Sequence, residues 1–313
     1  GSMSLPATNM NWLPASGITL TFRGTSSYTI TTNGNTLNTT NIFIDAVGGT
    51  LTLGSALALN STRSLTITNG TFSTSASNYS LSCGTLSSSN SNTRTISLNA
   101  SAVTLTSATP ITFTTSTNLT FNAGTSTITP NSATTTFTGG GQTFYNVNFS
   151  GVGAGTTTVS GVNTFNNLTQ TSRSATGLRS LIFSNSQTVN GTLTLGATNT
   201  AIRRISVYGT SSTGAVGVPI TLTVATVATL ADVDFRDITV AGASSPWSGT
   251  RIGDGGGNTN ITVTAGATKY WNLAAGGNWS ATAWATSSGG AVNVNNFPLA
   301  QDTVVIENTG LNT

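Results

Sequence analysis

The acidic side chains of this chain are few and unevenly placed. Asp45 is alone in the first 231 residues, and Asp232, Asp234, Asp237, Asp254, Asp302 and Glu307 follow. Two carboxylates held about 5–9.5 Å apart are what glycoside hydrolysis requires. In ADVDFRD (231–237), strand alternation turns Val233 and Phe235 inward and Asp232, Asp234 and Arg236 outward. Alternate residues of a strand lie ~7 Å apart, which suits an inverting pair. If the chain is an enzyme, Asp232, Asp234, Asp237 and Asp254 are therefore its catalytic candidates. The plainer reading is a solvated row of charges on an exposed strand, and it leads us to expect no catalytic residue and no enzyme.

Other chemistry is scarce. With no His and the single Cys83, the usual triads, His-based metal sites and Cys-based zinc sites are absent. We expect no metal and no cofactor. Asp254-Gly-Gly-Gly-Asn258 is Gly-rich but lacks the Lys and the following helix of a phosphate loop, so it reads as a tight turn. The strongest binding feature is aromatic. Four of the five Trp fall in residues 243–300, and Tyr270, Trp271, Trp279 and Trp284, with Phe297 nearby, offer faces that stack on sugar rings. The plainer reading of the same residues is a cover for the end of a repeat protein or packing between modules.

The elements that must position these residues are legible. Residues 95–172 contain no charged residue, and charged residues are 5% of the whole chain, against about a quarter in ordinary globular proteins. Disorder is excluded by periodicity: Ile96 and Leu98, Val103 and Leu105, Ile111 and Phe113, and Leu119 and Phe121 are apolar pairs two apart, each a short strand with one Thr/Ser face. The pairs recur every seven or eight residues, leaving no room for helices.

A longer repeat lies above this one. TFYNV (143–147) matches TFNNL (164–168), and TVNG (188–191) follows more loosely. Coils of about 21–24 residues with three sides mark a solenoid. A β-sandwich would share the short strands but needs no such repeat. Asn146 and Asn167 fall at equivalent positions and should stack. Gly124, Gly139 to Gly141, Gly151, Gly161, Gly191 and Gly196 should be corners with positive φ. The Thr-x-Thr rows are broken by Asn, Ser and Gly, which argues against a regular ice-binding array.

The fold expected is thus all-β, a right-handed parallel β-helix with an irregular Trp-rich C-terminal segment. Residues 1–12 read as a vector-derived remnant and lead-in, 13–242 as the β-helix, and 243–301 as a terminal coil and Trp-rich cap or inter-module segment. Residues 302–313 read as the start of a further module. Net charge is +3 but thinly spread, and Arg203-Arg204 is the one adjacent basic pair, so no nucleic-acid partner is expected. No apolar run has the length of a membrane span, and no membrane insertion is expected.

Several segments carry a resemblance: GTFSTSASNYSL (70–81), FTGGGQTFYNVNFSG (137–151), NTFNNLT (163–169), DFRDITVAG (234–242) and KYWNLAAGGNWSATAWATSSGG (269–290). They resemble long modular β-helix proteins of phage tails (tail-fibre and virion structural proteins) and bacterial surface adhesins. The resemblance implies a non-enzymatic structural or receptor-binding segment of a tail fibre or surface appendage, located on a virion or a bacterial cell surface. Its partners would be bacterial-surface glycan or another receptor and neighbouring modules, and a homotrimer is among the assemblies it implies. An adhesin module and a polysaccharide-degrading tailspike are the alternatives it leaves open.

Overall fold

In a computed structural model the chain is described over residues 1–7, 17–210, 217–273 and 276–307. It packs into two compact units, Gly1–Gly151 with Thr157–Leu168 and Val152–Thr156 with Thr169–Thr313. Each is a stack of parallel β-coils. The one helical element among the described residues is a 3-10 turn at Val294–Asn296.

In the first unit, Leu81–Cys83 pairs with Ala102–Leu105, which pairs with Thr127–Pro130, all parallel. A second parallel ladder runs through Ser27–Thr31, Thr40–Leu53, Ser64–Ser73, Arg94–Ser97 and Leu119–Asn122. Parallel pairing of strands about one coil apart, with other strands between them in sequence, is possible only if the chain winds. The inward residues stack by type: Leu51, Phe72 and Ile96 are fully buried and lie in register on successive coils. A ladder of rings continues the column, with Phe137 5.0 Å from Phe144 and Phe144 stacked 5.6 Å from Phe165. Each buried side chain of this kind contributes roughly 1.5–3 kcal/mol.

The repeat is less regular than the sequence implied. Val103 follows its partner Leu81 by 22 residues and precedes Ile128 by 25, whereas Ile238 follows Ile220 by 18 and Val233 follows Ile205 by 28. Insertions at the corners absorb the difference while the inward columns keep register. The Asn stack forms as expected: Asn167 Nδ2 donates to Asn146 Oδ1 at 2.9 Å, and Asn146 Nδ2 to Thr127 Oγ1 at 3.2 Å.

The corner glycines need correction. Gly124, Gly140, Gly141, Gly161 and Gly196 have positive φ, but Gly139 and Gly151 do not. There the constraint is space, since a Cβ at Gly139 would lie 2.3 Å from Asn163 Oδ1 and one at Gly151 2.2 Å from Ser132 O. Gly191 lies within strand Gln187–Leu195, where the register shifts between Val189 and Thr192. The outward Thr rows are also more ordered than they read, because Ser27, Thr50, Thr71, Thr95 and Thr120 stack in one column over five coils. Such hydroxyl columns keep a face hydrated without charge.

Two buried groups in the first unit have marked chemistry. Cys83 is buried, and burial pushes its thiol up to about 12. A raised folded value means stability is lost as pH climbs above the unfolded thiol's range, near 8.5, towards 12. At pH 8 the native thiol should react with a disulfide reagent about a thousandfold more slowly than the unfolded chain, by thiolate fraction alone. A stopped-flow labelling trace with and without denaturant checks this, and equal rates would contradict the burial.

Arg94 is also fully buried. Its Nε donates to Ser88 Oγ (2.9 Å), Nη1 to Asn92 O and Thr117 O (2.8 Å), and Nη2 to Thr115 O (3.0 Å) and more weakly to Ser88 O (3.4 Å). Among the described residues no carboxylate pairs with it. Burial holds its guanidinium below the ordinary arginine range.

In the second unit, Gly177–Phe183, Arg203–Gly209, Val233–Arg236 and Gly253–Asp254 form one parallel sheet, and Gln187–Leu195, Ile220–Val227 and Ile238–Ala241 another. Trp247 is fully buried against Phe235, ring centroids 5.7 Å apart, so it belongs to the coil core. The chain then leaves the coils for a small sheet in which Thr268–Trp271 runs antiparallel to Trp284–Ala285 and parallel to Thr303–Ile306. The strand expected to begin a further module is thus paired within this sheet, completing the Trp-rich segment from the far side of the expected 301/302 boundary.

Candidate functional site

The second unit carries a cleft of about 860 Å³. Its floor is the outward face of three parallel strands. Inward Leu181, Val207 and Phe235 are buried, so their neighbours Ser180, Ser206 and Asp234 line up across the coils, as do Ile182, Tyr208 and Arg236. Its wall comes from the small-sheet segment, at Asn278, Trp279, Ser280, Phe297 and Pro298. The wall is pinned by Gln301, whose Nε2 donates to Ile252 O (3.0 Å) and Thr264 O (2.7 Å) and whose Oε1 accepts from Asp254 N (2.9 Å). Asp302 adds to this by accepting from Ala267 N and Leu299 N.

The aromatic residues divide by exposure. Trp271 and Trp284 are buried in the small sheet, their rings 5.0 Å apart and edge-on, around Ala283 with Leu273, Phe297 and Val304 packed on them. They form that sheet's core and present no face to a ligand, contrary to the sequence-based expectation. Tyr270 is half-buried. Trp279 is 50% exposed and lines the cleft, with its ring 4.7 Å from that of Trp284 and its carbonyl accepting from Trp284 Nε1. A minimal Trp core thus props one indole into solvent.

The acids also sort differently from the expected outward row. Asp232 precedes the strand, in a left-handed conformation (φ 55°), and is fully buried. It accepts from Arg204 Nη1 (2.9 Å) and from Arg251 Nε and Nη2 (2.6 Å each). Asp234, on the strand, accepts from Arg204 Nε (2.9 Å) and Nη2 (2.6 Å). One guanidinium therefore clamps both carboxylates expected to form a catalytic pair. The hydrogen bond to Asp232 holds the Arg251 guanidinium above its ordinary range, against the opposing effect of burial.

Asp237 is buried at the next corner (φ 55°) and accepts from Gly217 N at 3.1 Å. Asp254 Oδ1 accepts from Gly256 N (2.9 Å) and Asn258 Nδ2 (2.7 Å), which makes 254–258 a turn closed by its own side chains. Among the described residues no three His, Cys, Asp or Glu gather as a metal would require.

Reasoning from sequence missed Tyr208 and Arg236 as site residues. The guanidinium carbon of Arg236 lies 4.7 Å from the centroid of the Tyr208 ring, and the two are direct partners on adjacent coils. Alternation marks both as outward, but the 28-residue offset between them exceeds the repeat read from the sequence. A smaller depression in the first unit, about 370 Å³, is lined by Asn69, Thr71, Asn92 and Thr95 and holds no aromatic residue. No helix among the described residues is long and apolar enough to cross a membrane. The chain matches no protein-family model, no curated protein and no solved structure.

Proposed function

We propose that this chain is a non-enzymatic structural and receptor-binding segment of a phage tail fibre or similar surface appendage, and that it contacts bacterial-surface glycan in the cleft beneath Trp279. The observation that carries the reading is the half-exposed indole of Trp279 on the wall of a cleft, beside Asn278 and Ser280 and above a floor of Ser180, Ser206 and Tyr208. Aromatic faces with a few convergent polar groups are the chemistry of sugar recognition. The phage-tail setting rests on the quoted resemblance, with an adhesin module as the alternative.

A degrading enzyme is the third reading, and the arginine clamp argues against it. A general acid or nucleophile needs a carboxylate free to reach the scissile bond, while both oxygens of Asp234 accept from Arg204 and Asp232 is buried.

The test is size-exclusion chromatography with light scattering on mixtures of the protein and a panel of bacterial surface polysaccharides. Co-elution with glycan of unchanged mass is the expected result, with Trp279→Ala weakening it roughly tenfold or more. Shortened glycan would establish an enzyme instead. No interaction across the panel would leave a passive structural segment.

A further inference from the structure

We infer that the ligand of this cleft is an acidic glycan, and that Arg236 receives its carboxylate. The inference rests on the glycan reading above and adds the charge of the sugar. Of the two guanidinium groups that line the cleft, Arg204 is committed to Asp232 and Asp234, and Asp232 also holds Arg251. Arg236 pairs with neither carboxylate. Its closest carboxylate is Asp237 Oδ2, 3.6 Å from Nε and beyond hydrogen-bond length, and that oxygen already accepts from Gly217 N. Its ion pair with Asp237 thus runs through Nε, which is buried without a hydrogen-bond partner. The side chain remains 39% exposed and lines the cleft.

The same side chain is held in place. Its guanidinium sits over the Tyr208 ring, and its stem packs so closely on the next coil that a Cβ on Gly255 would lie 2.9 Å from Arg236 Cβ. Stacking on an aromatic face supports a guanidinium while leaving its edge donors open. The one carboxylate lining the cleft, Asp234, is neutralised by Arg204. Asp237 balances the charge of Arg236 from the buried side, through Nε alone, so what the cleft offers a ligand is a pre-oriented guanidinium with its Nη edge open, in a cleft that an indole also lines. A planar fork of this kind recognises a carboxylate with two parallel hydrogen bonds, and Trp279 supplies the apolar face for the sugar ring that bears it. Hydroxyl groups are left to Ser180, Ser206 and Ser280.

The experiment uses the full chain and a set of carboxylated polysaccharides (polygalacturonate, alginate, hyaluronan and polysialic acid), each paired with its carboxyl-reduced form, with dextran sulfate as a polyanion control. Affinities are read by calorimetry. At least one acidic polymer should bind about 10–100-fold more tightly than its reduced form, the range for hydrogen bonds to a charged group. Arg236→Gln should abolish that preference while retaining the affinity for the reduced form. Arg236→Lys should retain part of it. Arg23→Gln removes an equal charge from an exposed site in the first unit and should change nothing.

Trp279-dependent binding with no preference between acidic and reduced forms would overturn the inference and leave the glycan reading standing. Loss of preference in Arg23→Gln as well, or equal binding of dextran sulfate, would reduce it to net charge and overturn it too. Failure of every polysaccharide, charged and reduced, would remove both.

Discussion

Asp232→Asn is expected to lower stability by about 3–5 kcal/mol, the cost of breaking a buried ion pair from one side. Asparagine tolerates the left-handed backbone that Asp232 adopts, so the substitution isolates the charge from the conformation. It strips Arg251 of the carboxylate that holds both its Nε and Nη2, and it strips Arg204 of one of its two. Arg204 is 4% exposed at its side chain, so water does not replace the lost partner. A denaturant titration should show the midpoint move with little change in slope. The exposed pair Arg23–Asp45 (3.6 Å, 76% and 36% exposed) is the internal contrast, with about 0–1 kcal/mol expected from Arg23→Ala. A loss below ~1 kcal/mol for Asp232→Asn would mean that the clamp is solvated in solution.

Arg94→Met should cost about 2–4 kcal/mol in the first unit, by a different mechanism. Methionine matches the stem but carries no donor, so the carbonyls of Thr115 and Thr117, together with Ser88 Oγ, lose the donor they share. Thr115 and Thr117 are exposed and their carbonyls can turn to water, so the cost falls on Ser88, which is fully buried and loses the donor at both Oγ and its carbonyl, each worth roughly 1–3 kcal/mol when left unsatisfied. Because Arg94 ties its own coil to the carbonyls of the next, hydrogen exchange should rise first in strands Arg94–Ser97 and Leu119–Asn122, which pair directly. A uniform rise across the unit would place the effect elsewhere.

These two arginines illustrate what could not be read in advance. Arg94 opens the charge-free stretch and gives no sign in the sequence of being inside. Its burial follows from where a corner turns, and the acceptors come from residues 21 and 23 positions later. Asp232 lies one residue before an alternating strand, and alternation extended by that one residue placed it outward. Alternation holds only while the backbone is extended, and a left-handed residue at the corner ends it.

The cleft was half legible. Trp279 stood among the expected contacts, but Trp271 and Trp284 have the same residue type in the same segment and are buried. Separating them requires knowing that Trp271 and Trp284 are cross-strand partners, a pairing between positions 13 apart with an intervening turn. Tyr208 and Arg236 were readable as outward residues and unreadable as neighbours.

The sequence by itself determined the all-β class, the coil-by-coil stacking, the inward columns and the Asn146–Asn167 stack, because these depend on a period-two alternation and a repeat that local residues carry. It also set chemical limits, since a chain without His and with one Cys lacks His-based triads and His- or Cys-based metal sites wherever it folds. The tertiary structure alone decided which coils lie side by side when the repeat length drifts, which acids Arg204 clamps, and which indole faces solvent. Those outcomes depend on contacts between residues 5 to 47 positions apart, such as Trp279 with Trp284 and Arg204 with Arg251. No local pattern encodes such contacts, because corner insertions change the offset from one coil to the next.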